Sequence, residues 1–289
     1  MGASAYLERL SARSVATGTV LCLGLDPDPG ALPAGFSRDL AGIERFARLV
    51  LEAATPFAAA VKPNLAFFEA FGSAGMAALE RLRADLPADV PVIADAKRGD
   101  IGTTAARQAA ALFDSLGADA VTVNPYLGAE AVMPLLERLD RFAYVLCRTS
   151  NPGGGELQDL RVAADPSSGA PEEPLHARVA RRAVGWGPGG TVGLVVGATA
   201  PAELASIRAI ALGLPFLVPG IGAQGGSSDP VLEYGRATAD PGGSRPGGGL
   251  LVNVSRGISG AAGEARKRGL EERIAAAAHE WAASLPVLP

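Results

Sequence analysis

One rhythm constrains the fold more than anything else in this sequence. Short apolar, β-branched runs recur eight times, at Val20–Leu25, Ala59–Lys62, Val92–Asp95, Ala120–Val123, Ala143–Cys147, Val192–Val196, Phe216–Pro219 and Leu251–Val254. Between them apolar residues return every three or four positions, most clearly over Ile43–Ala54, Gly75–Ala84, Ala105–Leu116, Ala129–Leu139, Leu175–Val184, Ala202–Ala211 and Leu270–Ala283. Strands that alternate with helices form a parallel sheet covered by those helices. Eight such units in 289 residues predict an α/β protein closed into a single (β/α)8 TIM barrel, a fold of about 250 residues. A doubly wound open sheet is the alternative, but no G-x-G-x-x-G follows the first strand to hold a dinucleotide.

Composition excludes several function classes. Hydrophobic residues make up 48% and charged ones 19%, too apolar a mixture for disorder. A net charge of −4 offers no basic face to nucleic acid. The longest uncharged windows, Ala183–Ala202 and Ala209–Ser228, are broken by Gly and Pro, so neither reads as a membrane span of ~20 apolar residues. The opening MGASAYLERLSARS has early charges and no apolar core, so a signal peptide is not expected. Gly2 is not followed by the Ser or Thr of a myristoylation signal, because Tyr6 stands there. Cys22 and Cys147 sit in apolar runs without metal-ligand spacing and read as buried thiols of a cytoplasmic protein.

Of 26 basic residues only Lys62, Lys97 and Lys267 are lysines. Lys267 lies in the solvated run EARKRG, whereas Lys62 and Lys97 lie inside or at the end of apolar runs. In a chain that otherwise uses arginine, those two positions call for an amine as such, since an arginine is bulkier and does not release its proton. The strand ends around them are polar. The first run leads into Asp26, the second ends Lys62-Pro63-Asn64, and the third continues Asp95-Ala96-Lys97-Arg98-Gly99-Asp100. Asp95 and Lys97 are two apart on an extended segment and so share a side. Two lysines and at least two aspartates therefore converge on one end of the barrel. Such a cluster is expensive to bury as a purely structural device. Asp100, just ahead of a helical stretch, also reads as that helix's cap.

The seventh run leads into Pro219-Gly220-Ile221-Gly222-Ala223-Gln224-Gly225-Gly226 and the eighth into Ser255-Arg256-Gly257. Glycine-rich turns after the last two strands, with one arginine, suit a phosphate dianion. The fifth run leads to Ser150, placed to hydrogen-bond a polar ligand or simply to start a turn. Two Gly/Pro-rich stretches, 151–174 and 222–249, follow strands and are expected as extended loops at the ligand-binding rim, although 240–249 also reads as a disordered insertion. His176 and His279 have charged neighbours and are expected to be exposed. No His/Cys cluster suggests a metal, and no Cys–His or Ser–His pair a nucleophile. Lys97 is then the natural proton donor.

These residues carry a resemblance. The run DAKRGDIGTT (Asp95–Thr104) matches the D-x-K-x-x-D-I-x-x-T signature of the orotidine 5′-phosphate decarboxylase family. GLDPD, VKPN, SNPGG, PGIGAQGG and NVSRGI follow the family's other rim motifs in order, so the match spans roughly Val20 to Ile258 and is similar to the longer bacterial subgroup. The resemblance implies a charged tetrad of Lys62, Asp95, Lys97 and Asp100. It implies a homodimer in which Asp100, Ile101 and Thr104 reach the neighbouring subunit's site. It also implies that Asp26 and Lys62 hold ribose hydroxyls, that Ser150 holds the pyrimidine and that Gln224 bridges ring and phosphate. Arg256 and the backbone of the Pro219–Gly225 turn would bind phosphate. The implied substrate is orotidine 5′-monophosphate, the product UMP, and no cofactor is needed. The nearest alternative is a Mg-dependent sugar-phosphate decarboxylase or synthase of the same barrel superfamily, which has an acidic residue where this chain has Lys62. A non-catalytic phosphate-binding barrel is the other.

Overall fold

The structure, a computed structural model, describes residues 4–187, 190–222, 224–263 and 269–288; the expectations for Gly2 and Lys267 lie outside the described residues. Eight parallel strands form one sheet: β1 (Leu21–Leu25), β2 (Ala60–Pro63), β3 (Ile93–Arg98), β4 (Ala120–Val123), β5 (Phe142–Arg148), β6 (Val192–Val196), β7 (Phe216–Val218) and β8 (Leu251–Val254). Their order is β2-β1-β8-β7-β6-β5-β4-β3. The two ends meet through parallel bridges Val61–Val92 and Asn64–Asp95, so the sheet closes into the expected barrel.

Alternation along each strand sorts residues between two cores. Leu21, Leu23 and Leu25 of β1 face outward and belong to the continuous core between sheet and helices that also holds Val50, Leu79, Phe113, Ile207 and Ile274. Cys22, Ile93, Tyr144, Val195 and Leu217 face the interior. Both cysteines are buried and unpaired. Burial pushes both thiols up to about 12. Among the described residues no helix is long and apolar enough to cross a membrane.

Helix α1 (Ala5–Thr17) is not among the elements expected from periodicity. It closes the barrel end opposite the strand C-termini. Tyr6, Leu7 and Leu10 are buried in the interior core, with Tyr6 stacked on Phe142 at 4.8 Å and its hydroxyl 3.1 Å from that of Tyr144. The stretch Ala129–Leu139 is helical only over Met133–Leu136. Pro134 has no N–H and is accommodated in a helix's first turn, so the helix starts just before it and ends a turn later. The third helical stretch starts at Gly102 and finishes as a π-helix over Ala110–Ser115.

Both Gly/Pro-rich stretches are folded. After β5 the chain makes the short helix Gly155–Gln158 and an antiparallel ribbon pairing Arg161–Val162 with Glu173–Pro174. The other stretch, expected wholly at the rim, is divided between the two ends. Residues 220–222 and 224–227 lie in a short turn at the rim, and the helix Ser228–Tyr234 carries the chain away. Residues 236–249 then pack at the far end: Thr238 N–H donates to Leu212 O at 2.8 Å, Gly242 N–H to Gly213 O at 3.0 Å and Gly247 N–H to Leu288 O at 2.8 Å. Strand-to-helix loops lie at one end of a barrel and helix-to-strand loops at the other. The helix inside this stretch is what moves its second half.

Candidate active site

The C-terminal ends of the strands enclose a cavity of about 430 Å3. Its walls differ from side to side. On β1–β4 the inward positions carry Asp26, Lys62, Asp95, Lys97 and Thr122; on β5–β7 they carry Leu146, Val195 and Leu217.

The charged side is one connected network. Asp95 sits between two ammonium groups, Lys62 Nζ at 2.7 Å from Oδ2 and Lys97 Nζ at 2.5 Å from Oδ1. Thr122 Oγ1 donates to Asp95 Oδ1 at 2.9 Å. The Lys62 side chain is 6% exposed and that of Lys97 48%, so one amine is sealed in and the other faces the cavity. Burial alone would push the Lys62 amine down, but Asp95 and then Asp26 outweigh it and hold it above the ordinary lysine range. Burial alone would raise the Asp95 carboxyl, but Lys62 and then Lys97 outweigh it and hold it well below the usual carboxylate range. Both groups stay ionised at neutral pH.

Asp95 and Lys97 do converge, but not through the regular extended spacing expected from the sequence. The β3–β4 register shifts between Ala94 and Arg98. Lys97 has φ 50°, left-handed and the only positive φ at a non-glycine among the described residues. A left-handed non-glycine residue is strained. Thr122 holds the kink, since its Oγ1 accepts from the N–H groups of Ala96 (3.1 Å) and Lys97 (3.0 Å).

On the opposite rim, Ser150, Gly220 and Gln224 come together. A Cβ on Gly220 (φ 102°) would stand 2.8 Å from Ser150 Cβ and 3.1 Å from Gln224 Oε1, so glycine is what permits that approach. The glycine turn is tied by Gly225 N–H to Gly222 O at 2.8 Å and Gly226 N–H to Gly220 O at 3.0 Å. Ala223 lies outside the described residues. Behind Ser150, the excursion after β5 is clamped to the barrel. Arg148 Nε donates to Asp159 at 2.8 Å and Thr149 N–H to Gln158 Oε1 at 2.9 Å. His176 is buried, not exposed as its charged neighbours suggest. It faces inward with Ala177, Ala180 and Ala183, and its Nδ1 lies 2.9 Å from Gln158 O.

Asp26, Lys62, Asp95, Lys97, Ser150, Pro219 and Gln224 all line the cavity. Asp100, Ile101, Thr104, Gly225 and Arg256 do not. The Asp100 carboxylate accepts from Ile101 N–H at 2.7 Å, while Ile101 and Thr104 point to solvent. Arg256 is exposed at the start of the short helix Arg256–Ser259. Asn64, Thr122, Thr149, Asn151, Gln158 and Asn253 also line the cavity without having been expected as site residues. A single polar residue inside an otherwise apolar strand, as in Ala-Val-Thr-Val and Leu-Val-Asn-Val, is the signal that marks Thr122 and Asn253.

Among the described residues no three of His, Cys, Asp or Glu are placed to share a metal ion. Both oxygens of Asp95 already face ammonium groups, a poor donor set for a divalent cation.

Comparison with known proteins agrees with this geometry. Residues 19–268 match the model of the "Orotidine 5′-phosphate decarboxylase / HUMPS family". The orotidine 5′-phosphate decarboxylase of Thermomicrobium roseum is 47% identical over 262 residues, 90% of this chain and 89% of that one. The solved OMP decarboxylase of Leishmania donovani superposes with a TM-score of 0.78 at 39% identity, covering 96% of this chain and 95% of that one. The UMP synthase of Leishmania donovani gives 0.80 at 40% identity over 98% of this chain, which spans only 56% of that longer protein. The chain is a member of the orotidine 5′-phosphate decarboxylase / HUMPS family.

Proposed function

We propose that the protein is a metal-independent orotidine 5′-phosphate decarboxylase, forming UMP and CO2 from orotidine 5′-monophosphate in pyrimidine biosynthesis. The observation that carries this reading is the run of ion pairs Lys62–Asp95–Lys97 at the barrel mouth. Decarboxylation breaks the bond between the ring and its carboxyl carbon and leaves the electron pair on a ring carbon with no electron sink. A fixed ammonium beside that carbon is preorganised to stabilise the charge. Lys97 fills this role, with Asp95 as its anchor, and then transfers a proton to the ring carbon. Half of its side chain is exposed, so the neutral amine regains a proton from solvent. Asp95, locked by Lys62 and Thr122, stands beside the departing carboxylate and adds electrostatic stress to the bound substrate.

Asp26 and Lys62 hold the ribose in this reading. The pyrimidine lies against the apolar wall with Ser150 at its edge. Gln224, the Pro219–Gly225 turn and Arg256 take the phosphate. Binding energy from the phosphate, far from the reacting carbon, closes the rim and is used at the chemical step.

The active unit is a homodimer in the cytoplasm. Ile101, after β3, is 62% exposed, and Tyr126 and Leu127, after the adjoining strand β4, are 81% and 57% exposed. An apolar group of this kind marks an interaction surface, and a second copy covering it brings Asp100, Ile101 and Thr104 into its neighbour's site. Two buried free thiols fit a reducing compartment. A Mg-dependent sugar-phosphate enzyme of the family needs a carboxylate where Lys62 stands.

The test is loss of ultraviolet absorbance as orotidine 5′-monophosphate becomes UMP. Turnover that persists in excess chelator is expected. Loss in chelator favours the Mg-dependent reading, and UMP binding without turnover favours a non-catalytic barrel. For the shared site, Lys97→Ala and Asp100→Ala are each expected to be inactive alone and to recover activity when mixed. No recovery after verified subunit exchange rejects the trans arrangement.

A further inference from the structure

The cavity floor holds a polar side chain that the reading above leaves without a role. Asn253 is the third of four residues of β8, pairs in register with Cys22 of β1 and lines the cavity with Asp26 and Leu217. Its Oδ1 is buried without a hydrogen-bond partner, and so are Asp26 Oδ1 and Ser255 Oγ. Ser255 stands just past the end of β8, ahead of the helix Arg256–Ser259, and like Asn253 it lies against Gly24 of β1, so all three atoms belong to the seam between β1 and β8.

Gly24 explains how the amide fits. A Cβ at position 24 would stand 2.7 Å from Ser255 Cβ and 3.0 Å from Asn253 Oδ1. The missing side chain on β1 is thus the space that the Asn253 and Ser255 side chains occupy. Asp26 lies two residues beyond Gly24 and so on the same face of β1. On β5, β6 and β7 the cavity-lining strand residues are Leu146, Val195 and Leu217, which carry no polar atom to satisfy. An amide in their place is costly unless something bonds to it.

The chemistry of the unpaired atoms selects the ligand group. Carboxylate and amide oxygens only accept, so they need a donor. A phosphate dianion has none and CO2 has none. The donors of the nucleotide are the ring N3–H, which the decarboxylase reading seats at Ser150 on the opposite rim, and the ribose hydroxyls, which it seats at Asp26 beside Asn253. We propose that Asn253, assisted by Ser255, is a further substrate-binding residue whose side-chain oxygen accepts from a ribose hydroxyl of the nucleotide; this deepens the decarboxylase reading and rests on it.

Asn253→Leu keeps the branched shape and removes the acceptor. Calorimetry with UMP, 2′-deoxy-UMP and 3′-deoxy-UMP compares the variant with the unaltered protein, alongside turnover of orotidine 5′-monophosphate. Affinity for UMP is expected to fall about tenfold, and affinity for one of the two deoxy nucleotides less than about twofold, as for one lost buried hydrogen bond. Equal loss for all three nucleotides, or no loss for UMP, overturns the assignment. A crystal structure of the unaltered protein with UMP tests it without any variant. A ribose hydroxyl within about 3.2 Å of Asn253 Oδ1 is expected, and a ring or phosphate atom there, or no ligand atom, overturns it. If the unaltered protein turns over its substrate while Asn253→Leu binds UMP as well as it does, this assignment fails alone. If the unaltered protein has no turnover, the decarboxylase reading fails and takes this one with it.

Discussion

The two walls of the cavity stand on equivalent inward positions of one sheet yet differ in every physical respect. The wall built on β1–β4 packs Lys62, Asp95, Lys97 and Thr122 into one hydrogen-bonded network. The wall built on β5–β7 presents Leu146, Val195 and Leu217 and has no charge to offer. The first alone would be well solvated, and its field correspondingly weak. The second alone would bind apolar rings without discrimination. Set face to face, the apolar wall excludes water and lowers the local dielectric, which strengthens the field of the charged one. A ligand that is flat and apolar on one side and anionic on the other is oriented by the contrast itself.

The contrast breaks most completely at Lys97. On the proposed mechanism Lys97→Ala removes both the stabilising charge and the proton donor, so kcat is expected to fall by at least about 10,000-fold, with UMP affinity changed by less than about tenfold. Steady-state kinetics and calorimetry separate the two, and a small loss of turnover would show that another group supplies the proton. Asp95→Asn strands the sealed Lys62 ammonium. A loss of about 3 kcal/mol in unfolding free energy is expected, as for a buried pair that loses one partner. Because the Asp95 carboxyl is depressed, its contribution is present above the unfolded value of about 3.9 and is lost as pH falls through the lower folded value. The stability gap between wild type and Asp95→Asn should therefore hold constant from about pH 8 to 5 and narrow below about pH 4. A gap that closes near neutral pH would contradict this. On the other wall, Leu217→Ala should cost about 2 kcal/mol in denaturant unfolding, at the low end for a core leucine because one side already faces the cavity. Its KM should rise while the pH profile of kcat keeps its shape, since no charge has moved.

Much of this architecture was readable in the residues. Strands buried on both sides leave continuous apolar runs, so all eight barrel strands were visible, and a chain with three lysines singles out Lys62 and Lys97 by their apolar settings. The rest was hidden for physical reasons. Tyr6, Leu7, Leu10 and Ser14 of α1 fall on one helical face, but a helix that plugs a barrel end stands outside the alternation that reveals the others. The burial of His176 follows from its spacing with Ala180 and Ala183, which the adjacent arginines masked. Thr122 and Asn253 are single polar atoms within apolar strands, and their meaning appears only when the barrel closes and faces them inward. The left-handed turn at Lys97 has no local signal at all, because nothing in Asp-Ala-Lys-Arg asks for positive φ.

That turn has a consequence for anyone who would make this protein more robust. A left-handed residue with a side chain costs about 1–2 kcal/mol, whereas a half-exposed ion pair returns about 0–1 kcal/mol. Lys97→Gly should therefore melt no lower than wild type, while Lys97→Ala, which keeps the strain and loses the pair, melts lower. A library ranked by heat resistance alone would promote glycine at the very position whose amine is assigned the chemistry, and would breed the catalyst out of the scaffold.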